Sequence, residues 1–418
     1  QDMAAGSKVK SVNRKEWKMS DYIQENTKEI PVKYQPDVAV AGGGIAGIAA
    51  ALAAARNGAD VLLIEKQCMV GGLATSGLIA GYLPLCDGYG HQVSYGIAEE
   101  LLRLSIRYGA QSEVPLAWLE KKEETEKQKK RYEVQFNPQY MALLTEQQLI
   151  KEHVHILYDS QICGVTCKDD RIAELLVENK SGRLAVRAKT YVDATGDADL
   201  YWYAKHPTRL FSKGNILAGW YYFYDGVQVK LRPLGFAEVF EEEKKNTVKP
   251  LVNRRFYGVD GQEISELLLL SHEAVLKDII EMKKEKPAME PVSIAGMPQL
   301  RMTRCMQGEY ELKETDNDVD FPDSVGMIAD WRKRGMVYEI PYRSLYSKKL
   351  GNVISAGRCI CTDDGMWDIS RVIPPCAVTG EAAGTAAAMT TDFGELSYER
   401  LAKRLRRQGQ KLKISEIE

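Results

Sequence analysis

The sequence predicts an α/β protein: a Rossmann-like dinucleotide-binding domain, discontinuous in the chain, with a second, mixed α+β substrate domain inserted in it. Three observations carry this expectation. Residues 38–66 read as strand, glycine turn, helix and strand, with glycines at G-x-G-x-x-G spacing. The middle of the chain changes to an aromatic strand and one long helix. Glycine-punctuated strand and small-residue helix patterns return over residues 351–389. The expected boundaries are an N-terminal extension at 1–36, the dinucleotide-binding domain at 37–199 and 346–395, the substrate domain at 200–345 and a helical tail at 396–418.

The first unit is the most informative. Apolar runs Asp37–Ala41 and Asp60–Ile64 bracket a glycine cluster and an alanine-rich stretch. Gly42 lets the chain turn sharply, Gly44 lets a pyrophosphate approach the backbone, and Gly47 lets the helix pack close to the strand. Ile45 and Ala46 open the helix, whose free N–H groups and dipole favour an anion. Glu65 ends the second strand eighteen residues after Gly47, followed by Lys66. A carboxylate there can accept both hydroxyls of an adenosine ribose and repels a 2′-phosphate. Val38–Ala55 is also eighteen residues without a charge, the length of a membrane span. Three consecutive glycines and the change of period from strand to helix argue against a span.

Composition sets the outer bounds. At 418 residues the chain is too long for one ordinary core, so two domains are expected. The formal net charge is −2, from 56 basic and 58 acidic residues, which gives no basis for a nucleic-acid or anionic-membrane partner. Eight cysteines are too sparse for a disulfide scaffold. Cys359-x-Cys361 and Cys163-x3-Cys167 lack zinc or iron–sulfur spacing, so no metal is expected and buried free thiols are. Gln1 to Gln35 shows no signal or transit pattern, and a cytoplasmic location is expected, with a leader cleaved before Gln1 left open.

In order, Gln1–Gln35 reads as a polar, lysine-rich surface extension with Trp17 and Tyr22 as its main large apolar groups. After the first unit comes Gly71-Gly72-Leu73-Ala74-Thr75-Ser76-Gly77, small residues that let backbone approach something flat and large, as a flavin ring is. A helix is expected over Ile97–Tyr108, with Ile97, Leu101, Leu104 and Tyr108 on one face. Glu120–Glu133 reads as a solvated charged surface. Asn137 caps a helix from Pro138 to about Glu152. Strands follow at His155–Tyr158, Ile162–Lys168, Ile172–Glu178 and Leu184–Ala188. Another strand, Tyr191–Ala194, ends in Thr195-Gly196-Asp197, the C-terminal sheet edge where α/β folds bind ligands. The middle section holds the strand-like run Gly219–Tyr224 and a helix over Gln262–Lys284. Near the end, Pro374 and Pro375 set the entry to a helix over Glu381–Met389, and the tail from Ser397 is basic and helical.

Four stretches, AGGGIAGIAAALAAARNGADVLLIEK (Ala41–Lys66), GGLATSGL (Gly71–Leu78), VDATGDAD (Val192–Asp199) and NVISAGRCI with RVIPPCAVTGEAAGTAAAM (Asn352–Ile360, Arg371–Met389), carry a resemblance. The chain resembles FAD-dependent oxidoreductases of the glutathione-reductase-like flavoprotein class. Within that class it is most similar to the FAD-oxidoreductase family related to glucose-inhibited division protein A. RMTRCMQGEYEL (Arg301–Leu312) and YEIPYRSL (Tyr338–Leu345) look like that family too. The resemblance implies tightly held FAD. By position, Gly42, Gly44, Gly47 and Glu65 would hold its ADP half. Gly71, Gly72, Ala74 and Thr75 would face the flavin, and Thr195, Gly196 and Asp197, following Ala194, would pass near the adenine side. Gly357, Arg358, Thr379 and Gly380 would hold the ribityl chain and ring. Two departures matter. GGLATSGL has no cysteine and no second G-x-G-x-x-G exists, which argues against dithiol chemistry and a built-in NAD(P)H domain. The tRNA-modifying relatives have a longer C-terminal region, which is not expected here.

The expected chemistry is hydride transfer between flavin N5 and a small organic substrate, with an external electron donor or acceptor. An electron-transfer subunit serving a partner protein, and a module whose flavin is structural, stand as alternatives. Dehydrogenation beside a carboxylate needs an anion clamp, for which Arg301, Arg304, Arg343, Arg358 and Arg371 are candidates. Arg301 and Arg371 stand out: one begins the family-like motif, the other precedes the flavin-binding helix. His91 is a candidate base or covalent attachment point, against the plainer role of a hydrogen-bonding loop residue. Tyr342 and Cys376 read as packed side chains before any proton-transfer role.

Overall fold

The computed structural model describes residues 29–235 and 250–417. Trp17, Tyr22 and the rest of the expected extension up to residue 28 lie outside the described residues.

Five short strands form the central parallel sheet, in the order Val353–Ser355, Thr190–Asp193, Val38–Ala41, Val61–Ile64 and His155–Leu157. The middle strands are buried along their whole length, so they read as continuous apolar runs, as strands covered on both faces do. The Ile45–Arg56 helix and the Ile373–Ala387 helix pack against each other over this sheet. Their contact is backbone-close: a Cβ on Gly380 would run into the Ala46 carbonyl, and one on Gly384 into that of Ala50. Alanine and glycine dominate both helices for that reason.

The Ile373–Ala387 helix begins eight residues before the expected Glu381. Pro374 and Pro375 sit inside its first turn, where proline loses no hydrogen bond. The second helix is shorter than its periodicity suggests, Ile97–Ser105, so Tyr108 leaves the buried face, is 64% exposed and lies against Tyr140. Asn137 caps Pro138–Lys151, its side chain accepting from the Gln139 and Tyr140 N–H groups. A four-stranded sheet joins Val32–Tyr34, Gly182–Val186, Arg171–Asn179 and Gln161–Lys168. Its last strand buries Ile162 while Cys163 and Cys167 face solvent. Cys68 is exposed as well, which corrects the expectation of buried thiols for these three; the other five are buried.

The middle section builds a three-stranded antiparallel sheet from Tyr221–Tyr224, Val229–Arg232 and Glu290–Ile294. The 25-residue Gly261–Glu285 helix, capped by Asp260, lies on it through Val275. Ser324–Ala329 and Val337–Pro341 form a hairpin packed on the Ile373–Ala387 helix. Among the described residues no helix is long and apolar enough to cross a membrane.

Candidate active site

Strands that run parallel deliver their C-terminal loops to one side of the sheet. Here the loops after all five open onto one cavity of about 350 Å³, the His155–Leu157 strand leading to Ser160 and Gln161. Val38–Ala41 brings Gly42, Gly44, Ile45 and Ala46; Val61–Ile64 brings Glu65 and Lys66; Thr190–Asp193 brings Ala194, Thr195, Gly196, Asp197 and Asp199; Val353–Ser355 brings Ala356 and Arg358. The Gly71-Gly72-Leu73-Ala74 turn closes one side, tied to the first loop where the Gly71 N–H donates to the Gly43 carbonyl at 2.7 Å.

The glycine turn is shaped by contacts that exclude side chains. Gly42 has φ +97°, and a Cβ on it would stand 2.6 Å from the Ala194 carbonyl oxygen. Gly44 is different: a Cβ there would meet nothing within 4 Å, because its face opens on the cavity. No side chain caps the Ile45–Arg56 helix and no acid sits in its first turn, so its leading N–H groups face the cavity end uncompensated. Glu65 is buried and held at both oxygens, accepting from the Gly43 N–H at 2.6 Å and the Gln67 N–H at 2.7 Å.

The Arg301-Met-Thr-Arg304 motif clasps the Asp197–Asp199 turn. Thr303 donates to the Asp197 carboxylate at 2.5 Å. Arg304 donates to the Asp197 carbonyl at 2.8 Å and to the Asp199 carboxylate at 2.7 Å, with its guanidinium over Trp202. Burial, then the charges of Asp197 and Asp193, push the Asp199 carboxyl up to about 7, against the pull of Arg304. Arg358 crosses from the sheet to this motif, donating to the carbonyls of Leu300 at 3.2 Å and Arg301 at 3.1 Å.

Part of the cavity lining is aromatic and cationic. Arg301, 5% exposed, lies with its guanidinium 5.3 Å from the Trp220 ring centre. Arg371 lies 5.9 Å from the Trp331 ring centre, fixed by the Asp368 carboxylate. All four side chains line the cavity, with Met297, Leu83 and Ile79. A guanidinium over an indole face keeps its charge in a dry setting.

A family model described as FAD dependent oxidoreductase matches residues 37–219 and 228–405. The chain belongs to this family. The oxidoreductase is 37% identical over 82 residues to a thioredoxin reductase of Ureaplasma parvum serovar 3, a match covering 19% of this chain and 26% of that protein. Among solved structures it is similar to p-nitrophenol 4-monooxygenase from Pseudomonas putida, with TM-score 0.49, 13% identity, 89% of this chain and 84% of that one covered. It is also similar to L-proline dehydrogenase from P. horikoshii, with TM-score 0.43, 12% identity, and 91% and 100% covered.

FAD is the cofactor of this family, and the residues present fit it. The open face of Gly44 and the uncapped helix suit a pyrophosphate, and Glu65 stands at the strand end where a ribose belongs.

Several expected site residues stand behind the cavity wall of the oxidoreductase. A Cβ on Gly47 would strike the Gly42 carbonyl, so this glycine packs the helix on the turn. Gly380 does the same for the two helices. Thr75 donates to the Val70 carbonyl at 2.6 Å, which fixes the Gly71–Ala74 turn. Thr379 accepts from the Gly357 N–H at 3.0 Å and holds the Arg358 loop. His91 is absent from the lining, and its ring pairs with Asp87 at 2.7 Å and with Glu124 at 3.6 Å. Tyr342 is buried and donates to the Phe393 carbonyl. Cys376 lines the cavity, and burial pushes its thiol up to about 12, so it stays protonated.

Sequence reasoning missed Ser160, Gln161, Ile162, Trp220, Met297 and Trp331 in the lining. Trp220 lay in a run legible only as a strand. Trp331 sits between two charged residues, in Asp330-Trp331-Arg332. A lone tryptophan between two charges was the available signal.

Proposed function

We propose that this oxidoreductase moves a hydride between flavin N5 and a small organic substrate that carries a carboxylate. The observation behind this is the placing of two arginines, each faced by an indole, in the lining of one cavity with the Gly44 turn. A planar guanidinium binds a carboxylate through two parallel hydrogen bonds. Low dielectric around the indoles strengthens that contact and favours an anion over its neutral analogue. Asp368 takes Nε and Nη2 of Arg371, so the plane of that guanidinium is set before substrate arrives. Bound FAD supplies a two-electron acceptor. The chain's part is to orient the substrate and exclude water.

The test is an anaerobic screen of carboxylic acids against the flavin absorption bands. Bleaching or band shifts by acids, and not by their amides, support the reading. A flavin that responds to neutral compounds only, or equally to both series, rejects it.

A further inference from the structure

We propose that the outer face of the Gly261–Glu285 helix docks a second copy of this chain, the two helices lying antiparallel about a twofold axis. The inner face is already used: Leu267 and Val275 are buried, and Ser271 donates to the Ala218 carbonyl at 2.9 Å. On the opposite side Leu269 is 70% exposed, Leu276 59% and Ile280 50%. Their spacing places them within roughly 40° of one another around the helix axis. Three large aliphatic side chains in one outward row form the seam that helix pairing uses.

The neighbouring strand widens the patch. Glu290–Ile294 is an edge strand with Val292 and Ile294 exposed, and Ile294 shares a shallow crevice with His272 of the helix. Pro291 lacks an N–H, so this edge is a poor template for an added strand, and the helix is the docking element.

Charge decides the occupant. Glu273 and Lys277 are exposed on one flank of the aliphatic row, and neither forms an ion pair with another described residue. An axis crossing the helix at Val275 sets Glu273 level with the second copy's Lys277, and Lys277 level with its Glu273. The same axis brings Leu269 beside the second copy's Ile280. A self-complementary arrangement of this kind is what an isologous contact requires.

Sedimentation velocity on the full, FAD-loaded chain over roughly a hundredfold range of concentration tests this. A concentration-dependent dimer is expected. Leu276→Glu should weaken it by about thirtyfold or more. Leu143→Glu, on the exposed face of Pro138–Lys151, should leave it intact. Glu273→Lys and Lys277→Glu should each weaken the dimer alone, restore it when combined in one chain, and pair with each other when the two single variants are mixed. Flavin content and thermal unfolding confirm that each variant is folded. A chain that stays monomeric throughout, or a dimer indifferent to Leu276→Glu and to both charge reversals, overturns the proposal.

Discussion

The Asp368 carboxylate holds the Arg371 guanidinium through Nε at 2.9 Å and Nη2 at 2.5 Å, with both side chains nearly sealed from solvent. The same carboxylate reaches Arg332 at 3.3 Å, and the Asp368 carbonyl accepts the Trp331 indole N–H at 3.0 Å. One aspartate thus positions an arginine and a tryptophan that line the cavity. Replacing it with Asn leaves two guanidiniums short of a partner. Asp368→Asn should cost about 3 kcal/mol of stability, read as a lowered midpoint in denaturant unfolding. An unchanged midpoint would mean that the pair is not formed.

Gly44 offers a cleaner separation of folding from cofactor binding. Because a Cβ there meets no protein atom, Gly44→Val should leave the fold intact while filling the space beside the helix N-terminus. The purified variant should carry little flavin, with circular dichroism unchanged. Retention of FAD at the natural stoichiometry would move the pyrophosphate elsewhere.

Arg301→Met tests the substrate end. FAD content should stay the same, while KM for a carboxylate substrate rises by about tenfold or more, the loss of a charge-assisted hydrogen bond. A drop in kcat with KM untouched would place Arg301 in another role.

Glu381 is 1% exposed, accepts from the Ile97 N–H at 2.7 Å and from Gln410 of the tail at 2.6 Å, and burial pushes its carboxyl up to about 7. A carboxyl whose folded pKa lies above its unfolded value binds its proton more tightly in the folded protein. Its stabilising contribution is complete below the ordinary value of 4.5 and is lost as pH rises through about 7. Glu381→Gln keeps an acceptor oxygen and removes the titration. The natural protein should therefore lose about 3 kcal/mol relative to this variant between those pH values. Chemical denaturation at both ends of the range measures it, and parallel profiles would contradict it.

Much of this protein was legible in its sequence because the relevant interactions are local. Gly42, Gly44 and Glu65 sit within one strand–turn–helix–strand unit, where spacing alone dictates which groups meet. The same holds for Asn137 and Pro138, which mark a helix start by their own chemistry. The second helix misled because periodicity does not see where a helix stops. Its pattern runs on to Tyr108, but the backbone leaves the helix after Ser105. The Ile373–Ala387 helix misled in the other direction, since Pro374 and Pro375 read as an entrance although a first turn accepts both.

What the sequence determined by itself is a dinucleotide cradle and the kind of sheet that carries it. Only tertiary structure decided that Arg301 and Arg371 share a cavity, that Trp220 and Trp331 face them, and that His91 turns to Asp87 instead. The physical reason is reach: a glycine turn is specified by the steric limits of adjacent residues. A cavity wall is specified by which distant segments pack together, and no local period records that.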